Sequence, residues 1–462
     1  MVTGAPLLLI ISLAILFIVL ASSVGKLHPF LTLILAALGV GFAVGMPAGN
    51  LLETLTTGFG SITASIGLVI VFGTVIGVAL EESGAAALIA HRLVKAFGPK
   101  RIILAMGCIG GFVGIPVFCD SGFIILSRLV RKLAQQTGKS PVSICIAMAG
   151  GLYTTHVLVP PTPGPLAAAA AYSAEQYLGA VILTGLILSV PGILTGYWWA
   201  VRAGRRSPVD PESSHDAQQV ERENANTSVN PAATSETGTG QSLSLLLSLL
   251  PLVLPVLLIA GGSVAALMEA PSWILFICKP VIALLAGVFA SFLLLKSTRN
   301  RRQEQWIEKA LIQAGPIILI TAAGGAFGAV LKATPLNLLF ESWISGQDVS
   351  GIWLLPLVFL LAAGLKTSQG SSTAAIIVSA SLIAPFLPAL GFNSAVELGI
   401  LVSVTGAGSM VVSHTNDSYF WVVSQFGGMS MQQTLRTFTV ATLLQGMAVL
   451  ISAMVLLALL GG

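Results

Sequence analysis

The sequence predicts an all-α polytopic membrane protein built as an inverted repeat, with a re-entrant helical hairpin and a discontinuous transmembrane helix in each half. Three observations carry this reading. The 462-residue chain is 55% hydrophobic and only 9% charged. Soluble domains carry about 25% charged residues, so a water-exposed surface cannot be built from this composition. Apolar runs of about 20 residues recur from end to end, long enough to cross a hydrocarbon core of about 30 Å. Finally, Lys and Arg gather on one side of the topology these runs define. The count is about ten full spans plus two hairpins.

The first two spans lie at about 6–24 and 29–46, joined at Lys26-Leu27-His28-Pro29. No basic n-region or small-residue cleavage site precedes them, so Pro6–Val24 reads as a retained span. Residues 1–28 thus form an extra N-terminal span ahead of a first repeat over 29–201. The third span, about 61–80, carries Gly67, Gly73 and Gly77 for close helix packing. Ala85–Arg101 follows as an amphipathic surface helix, with Ile89, Leu93 and Phe97 on one face and His91, Arg92 and Lys95 around them. Gly98-Pro99 stops it.

Residues 102–127 are apolar but broken near Ile115-Pro116-Val117-Phe118-Cys119-Asp120-Ser121-Gly122. Arg92, Lys95, Lys100 and Arg101 precede the segment; Arg128, Arg131, Lys132 and Lys139 follow it. Positive charge on both flanks places both in the cytoplasm, so the segment is a hairpin that leaves and returns to one side. Pro141–Tyr172 then crosses outward but is interrupted, because Pro160, Pro161, Pro163 and Pro165 cannot continue a helix. Leu178–Ala200 returns, ending in Tyr197, Trp198, Trp199 and then Arg202, Arg205 and Arg206, an aromatic belt followed by inside positives.

Residues 202–241 are rich in Ser, Asn, Thr and Glu without apolar periodicity and read as a flexible cytoplasmic linker. A connecting span occupies 242–271, and the second repeat 272–462. Its spans at about 272–295 and 310–331 flank an inside loop with Lys296, Arg299, Arg301, Arg302 and Lys309. Residues 332–350 lie outside. Leu354–Leu387 is the second hairpin, about 354–387, with the polar centre Lys366-Thr367-Ser368-Gln369-Gly370-Ser371-Ser372-Thr373. Glu397–Phe426 then runs inward, and the last span, about 437–460, ends outside. Both termini are therefore outside, and only Lys279, Lys332 and Lys366 among the basic residues depart from the inside.

The halves match weakly but in order. Gly73, Gly77 and Leu80 correspond to Gly324, Gly328 and Leu331, and Gly114 to Gly364. Gly150 and Thr155-His156 correspond to Gly408 and Ser413-His414 at one common offset. The first hairpin enters from the cytoplasm and the second from outside. Inverted repeats of this kind hold substrate near the midplane, where broken helices leave backbone groups free.

Polar residues mark the same place. Ser413, His414, Thr415, Asn416, Asp417 and Ser418 run uninterrupted between apolar flanks, and such a run at bilayer depth must face protein, water, an ion or a substrate. Substrate ligands are expected at His156, Gln369, Gly370, Ser371, Ser372, Thr373, Asn416 and Ser418, with Thr162 available in the proline run. Proton-coupling groups are expected among Asp120, His156, His414 and Asp417. Histidine titrates near the pH of both compartments, and an intramembrane carboxylate can accept a proton because desolvation disfavours its charge. Each has a structural alternative, a hairpin cap for Asp120 and a helix-packing hydrogen bond for the histidines. Lys366 either balances substrate charge or reaches to the interface.

No HExxH, no nucleophile elbow and no Walker loop is present, which speaks against an enzyme or an ATP-driven pump. Cys108, Cys119, Cys145 and Cys278 show no CxxC spacing and read as buried small residues rather than metal ligands. No cofactor or metal is expected. The coupling ion is a proton, with sodium as the alternative, since hydroxyl-rich tips and broken-helix carbonyls can also hold sodium.

At Gly73–Gly84 (GTVIGVALEESG), Cys119–Leu126 (CDSGFIIL), His156–Pro165 (HVLVPPTPGP), Gln369–Ala374 (QGSSTA) and Gly406–Trp421 (GAGSMVVSHTNDSYFW) the sequence resembles the gluconate permease family, the gluconate:proton symporters of the ion transporter superfamily. The resemblance covers nearly the whole chain. It implies a bacterial inner-membrane homodimer that takes up gluconate or a related small hydroxy monocarboxylate with protons, by alternating access. Two positions depart from the family pattern: Asp120-Ser121 stands where an acidic-aliphatic pair is usual, and Thr162 where a second histidine is usual. The resemblance makes Ser121 and Thr162 substrate-facing positions, so a smaller hydroxy acid or a D-serine-like substrate stays open. So does a sodium-coupled carboxylate carrier of the same fold.

Overall fold

The computed structural model describes residues 2–23, 25–206, 244–267, 270–294, 303–335, 351–387, 392–415 and 417–460. Among these residues the regular structure is entirely helical. Among the described residues, five stretches are long and apolar enough to cross a membrane: Ala48–Glu82, Pro141–Ala171, Glu175–Arg205, Gln303–Lys332 and Met431–Leu459. Shorter apolar helices fill the space between them.

The first half begins with α1 (Ala5–Ser23), α2 (Pro29–Ala43) and α3 (Ala48–Glu82). Helix α3 starts well before the expected position of the third span. Its early turns are buried, with Leu51 beside Gly41 of α2 and Gly58 against α13 (Gln303–Lys332). A Cβ on Gly58 would lie 2.7 Å from the Gly325 carbonyl oxygen, and one on Gly325 would lie 2.8 Å from that of Gly58. Only residues without a side chain allow this reciprocal approach.

Helix α4 (Ala85–Phe97) is amphipathic and ends at Gly98. The first broken segment follows as α5 (Ile102–Gly114) and α6 (Cys119–Thr137). Helix α6 outruns the expected hairpin end because its charged second half continues to Gly138, whose φ of 66° closes the helix. Helices α7 (Pro141–Leu158) and α8 (Pro163–Ala171) form the interrupted span, and α9 (Leu178–Arg206) returns. Helix α9 therefore runs into the stretch read as linker; the rest of that stretch, residues 207–241, lies outside the described residues.

After α10 (Leu245–Leu267), the expected span 272–295 is split into α11 (Ser272–Ile277) and α12 (Pro280–Phe292). Pro280 ends the first helix by its missing N–H, and Lys279 sits at the break as the cap of α12. Helix α13 leads to α14 (Leu354–Gln369) and α15 (Ser372–Ile383), then α16 (Ala395–Met410) and α17 (Ser418–Gly427). Helix α18 (Val440–Leu459) is entered through a helical turn at Met431–Thr434 and a π turn at Leu435–Thr439.

Packing pairs the two halves. Helix α5 lies on α7 as α14 lies on α16, and α7 lies on α9 as α16 lies on α18. Across the halves, α8 lies on α15 as α17 lies on α6. One continuous core joins these elements. A second cluster seats α1 and α2 against α13, α14 and α15. The cysteines divide: Cys119 and Cys145 are buried, Cys108 and Cys278 half-buried.

Candidate functional site

Four chain breaks build the site, each with a local cause. Helix α5 ends ahead of Pro116, and the chain restarts at Cys119, placing Asp120 in the first turn of α6. Between α7 and α8 the Pro160–Pro161 bond is cis, and Pro163 opens α8 behind its cap Thr162. Helix α14 ends at Gly370, whose φ of 80° is left-handed. Ser371 then caps α15, its Oγ accepting from the Ala374 N–H at 3.2 Å. Helix α16 ends at Val411, and Asp417 caps α17 by accepting from the Tyr419 N–H at 3.1 Å.

Three of these breaks, all but the one between α7 and α8, converge on one cavity of about 290 Å³. Three helix N-termini open into it: Phe118, Cys119 and Asp120 of α6, Ser371 to Thr373 of α15, and Asp417 to Tyr419 of α17. Tyr153 and His156 line it from α7, Gln369 and Gly370 from the end of α14. Helix N-termini present unpaired N–H groups and a partial positive charge, so their convergence suits an anion.

The two carboxylates of the cavity differ in their surroundings. Asp417 is buried. Its Oδ2 takes the Lys366 ammonium at 2.6 Å, the Ser413 hydroxyl at 2.5 Å and the Tyr153 hydroxyl at 3.4 Å. With the Tyr419 N–H on Oδ1, four donors meet this carboxylate, three of them on Oδ2. Asp120 has only a long contact, 3.5 Å from the Ser418 hydroxyl to Oδ2. Its Oδ1 is buried without a partner.

Two neighbours share that condition. His156 is buried, its ring centroid 5.7 Å from that of Phe118, and its Nδ1 has no partner. Neither amide atom of Gln369 has one. Buried polar groups are ordinarily hydrogen-bonded, so three such groups around one cavity mark a place where a polar ligand completes the bonding. Ser372, by contrast, is engaged with the Tyr153 hydroxyl at 2.6 Å.

Of the residues expected at the site, Asp120, His156, Gln369, Gly370, Ser371, Ser372, Thr373, Asp417 and Ser418 line this cavity. Ser121, Thr162 and His414 do not. Ser121 is the next residue along α6. The Thr162 hydroxyl is spent on the Val159 carbonyl at 2.7 Å. His414 Nε2 pairs with the Thr367 carbonyl at 3.0 Å. Asn416 lies outside the described residues. Lys366 neither reaches the interface nor lines the cavity; it is fully buried on Asp417.

Sequence reasoning passed over Phe118, Cys119, Tyr153 and Tyr419. Tyr153 carried a usable signal, since it precedes His156 by three residues on one helix and so shares its face. Tyr419 is part of the same aromatic packing, its ring centroid 5.1 Å from that of Tyr153.

Comparison with known proteins adds to this geometry. The profile described as GntP family permease matches residues 6–460. The chain is 32% identical to the inner membrane permease YgbN of Escherichia coli K12, over 95% of this chain and 96% of that protein. It is 31% identical to a gluconate permease of Pseudomonas aeruginosa, over 90% and 89% respectively. The crystal structure of the Alcanivorax borkumensis YdaH transporter is similar with a TM-score of 0.60 at 16% identity, covering 94% of this chain and 99% of that one. At that identity the likeness concerns the fold.

Proposed function

The chain belongs to the GntP family of permeases, and from that premise we propose that it takes up gluconate or a related small hydroxy monocarboxylate together with protons. It is a multi-pass membrane transporter, not an enzyme. The observation that carries the substrate class is the convergence of three helix N-termini on the 290 Å³ cavity. Each supplies about half a unit of positive charge, confined to its first turn. A carboxylate binds there without a fixed positive side chain of its own. The hydroxyls of Ser371, Thr373 and Ser418 and the open amide of Gln369 then meet the substrate hydroxyls, in keeping with the preference of such sites for a few convergent polar groups.

Proton coupling falls to Asp120 and His156, whose Oδ1 and Nδ1 are unpartnered beside the cavity. The paired contacts of the two halves support a repeat, and the apolar runs and charge pattern support its being inverted, with about ten spans and two hairpins. In that arrangement the packing of α8 on α15 and of α17 on α6 is exchanged as access alternates. The charge pattern supports termini outside and linker inside, and the family resemblance supports an inner-membrane homodimer.

A thermal-shift screen of the purified protein against sugar acids, short hydroxy acids and D-serine tests the substrate class. Gluconate or a close relative is expected to stabilise the protein; stabilisation by none of the carboxylates sinks the proposal. In proteoliposomes, accumulation of labelled gluconate is expected to collapse with a protonophore and to persist without sodium.

A further inference from the structure

Lys366 is a fully buried lysine where α14 passes from its apolar body into its polar last turn, and no role follows for it from substrate contact, because it is absent from the cavity wall. A buried ammonium is held only where its charge and its donors are matched. Its Nζ donates to Asp417 Oδ2 at 2.6 Å and to the Gly370 carbonyl at 2.6 Å, and lies 5.8 Å from the centre of the Tyr153 ring. Two oxygens and an aromatic face thus account for the surroundings of the cation.

Those two oxygens come from different broken elements. Gly370 is the tip between α14 and α15, and Asp417 opens α17. The left-handed Gly370 turns its carbonyl back over the end of α14, and the Gly370 N–H bonds the Lys366 carbonyl at 2.8 Å. Lys366 therefore holds the tip through backbone and side chain together, and fastens it to the second break. Ser413, Tyr153 and the Tyr419 N–H give Asp417 hydrogen bonds but no counter-charge. Lys366 alone supplies that charge among the described residues paired with Asp417.

A carbonyl at a hairpin tip and a carboxylate at a helix break are oxygen ligands of the kind hard metal cations take. We infer that Lys366 is the resident cation of the site: its ammonium neutralises Asp417 and fastens the hairpin tip from within the chain, as a bound metal cation would, so that substrate binding needs no sodium. The oxygens that would seat such an ion are already taken. Asp120 is left as the cavity carboxylate with no cation in contact, and the first-turn N–H groups that Asp417 and Ser371 do not cap are left to the substrate anion. This inference rests on the reading of the cavity as a carboxylate site.

The test is gluconate binding by isothermal titration to the full-length protein in lipid nanodiscs, in sodium and in choline buffer. The wild type binds equally in both. Lys366→Ala weakens binding by about tenfold or more, and n-propylammonium, which replaces the missing stem and charge, restores part of it. The double variant Lys366→Met, Asp417→Leu removes the buried charge pair without leaving an unpaired ion, and is expected to fold yet bind as weakly as Lys366→Ala. Wild-type binding that requires sodium overturns the inference. So does a double variant with wild-type affinity, since the pair would then serve neutrality alone, or an alanine variant that the amine does not rescue. A wild type that binds no sugar acid in either buffer overturns the reading of the cavity as well.

Discussion

The two walls of the cavity use the same residue types to opposite ends. In the first half, Asp120 and His156 present unpartnered buried atoms. In the second half, Asp417 is held by Lys366, Ser413, Tyr153 and the Tyr419 amide, and His414, behind the wall, is bound to the Thr367 carbonyl. The second half spends its carboxylate and its histidine on holding the chain breaks in place, and leaves the Gln369 amide open. The other keeps capacity for a ligand or a proton. A polar residue at membrane depth therefore need not be functional in the narrow sense; what decides is whether its bonds are already made.

The largest effect should come from the second-half wall. Asp417→Leu alone leaves the Lys366 ammonium buried and unpaired, which costs about 3–5 kcal/mol. Loss of the folded peak in gel filtration or a large drop in melting temperature is the expected outcome. A variant as stable as the wild type would show that this pair is not what holds the hairpin tip.

Next is Asp120→Asn, which keeps shape and removes the carboxylate. Proton-driven accumulation is expected to fail while gluconate exchange across the membrane at equal concentrations continues. Intact accumulation would break the comparison, because the first-half wall would then be dispensable for coupling.

The histidines sharpen it further. His156→Gln should weaken gluconate affinity by about tenfold, the worth of one buried hydrogen bond, whereas His414→Gln should change affinity by less than about threefold. Equal losses would erase the distinction between the walls. The smallest effect is expected from Thr162→Val. It removes one hydrogen bond to the Val159 carbonyl, worth about 0.5–1.5 kcal/mol of stability, and should leave affinity unchanged in the same titration.

The places where helices break were legible because the chemistry that breaks a helix is local. Pro116, the Pro160–Pro165 run, Gly370 and the polar run from Ser413 to Ser418 each interrupt an apolar segment, and each coincides with a break between described helices. The helix limits were less legible. Helix α3 begins early because Gly58 meets Gly325, and nothing near Gly58 in the sequence announces that partner. Likewise Tyr153 reaches Ser372, 219 residues away, and only the packing of α7 beside the hairpin tip brings them together.

The sequence by itself determined the membrane class, the family and the polar groups held at depth, because hydropathy, helix breaking and charge distribution act over a few turns at a time. Tertiary structure decided which of those groups remain available. Lys366 and Asp417 are ordinary candidates when read singly; paired at 2.6 Å they become a fixed charge and its counter-charge. Bond saturation depends on atoms brought together from distant segments, and a linear pattern carries no record of that distance.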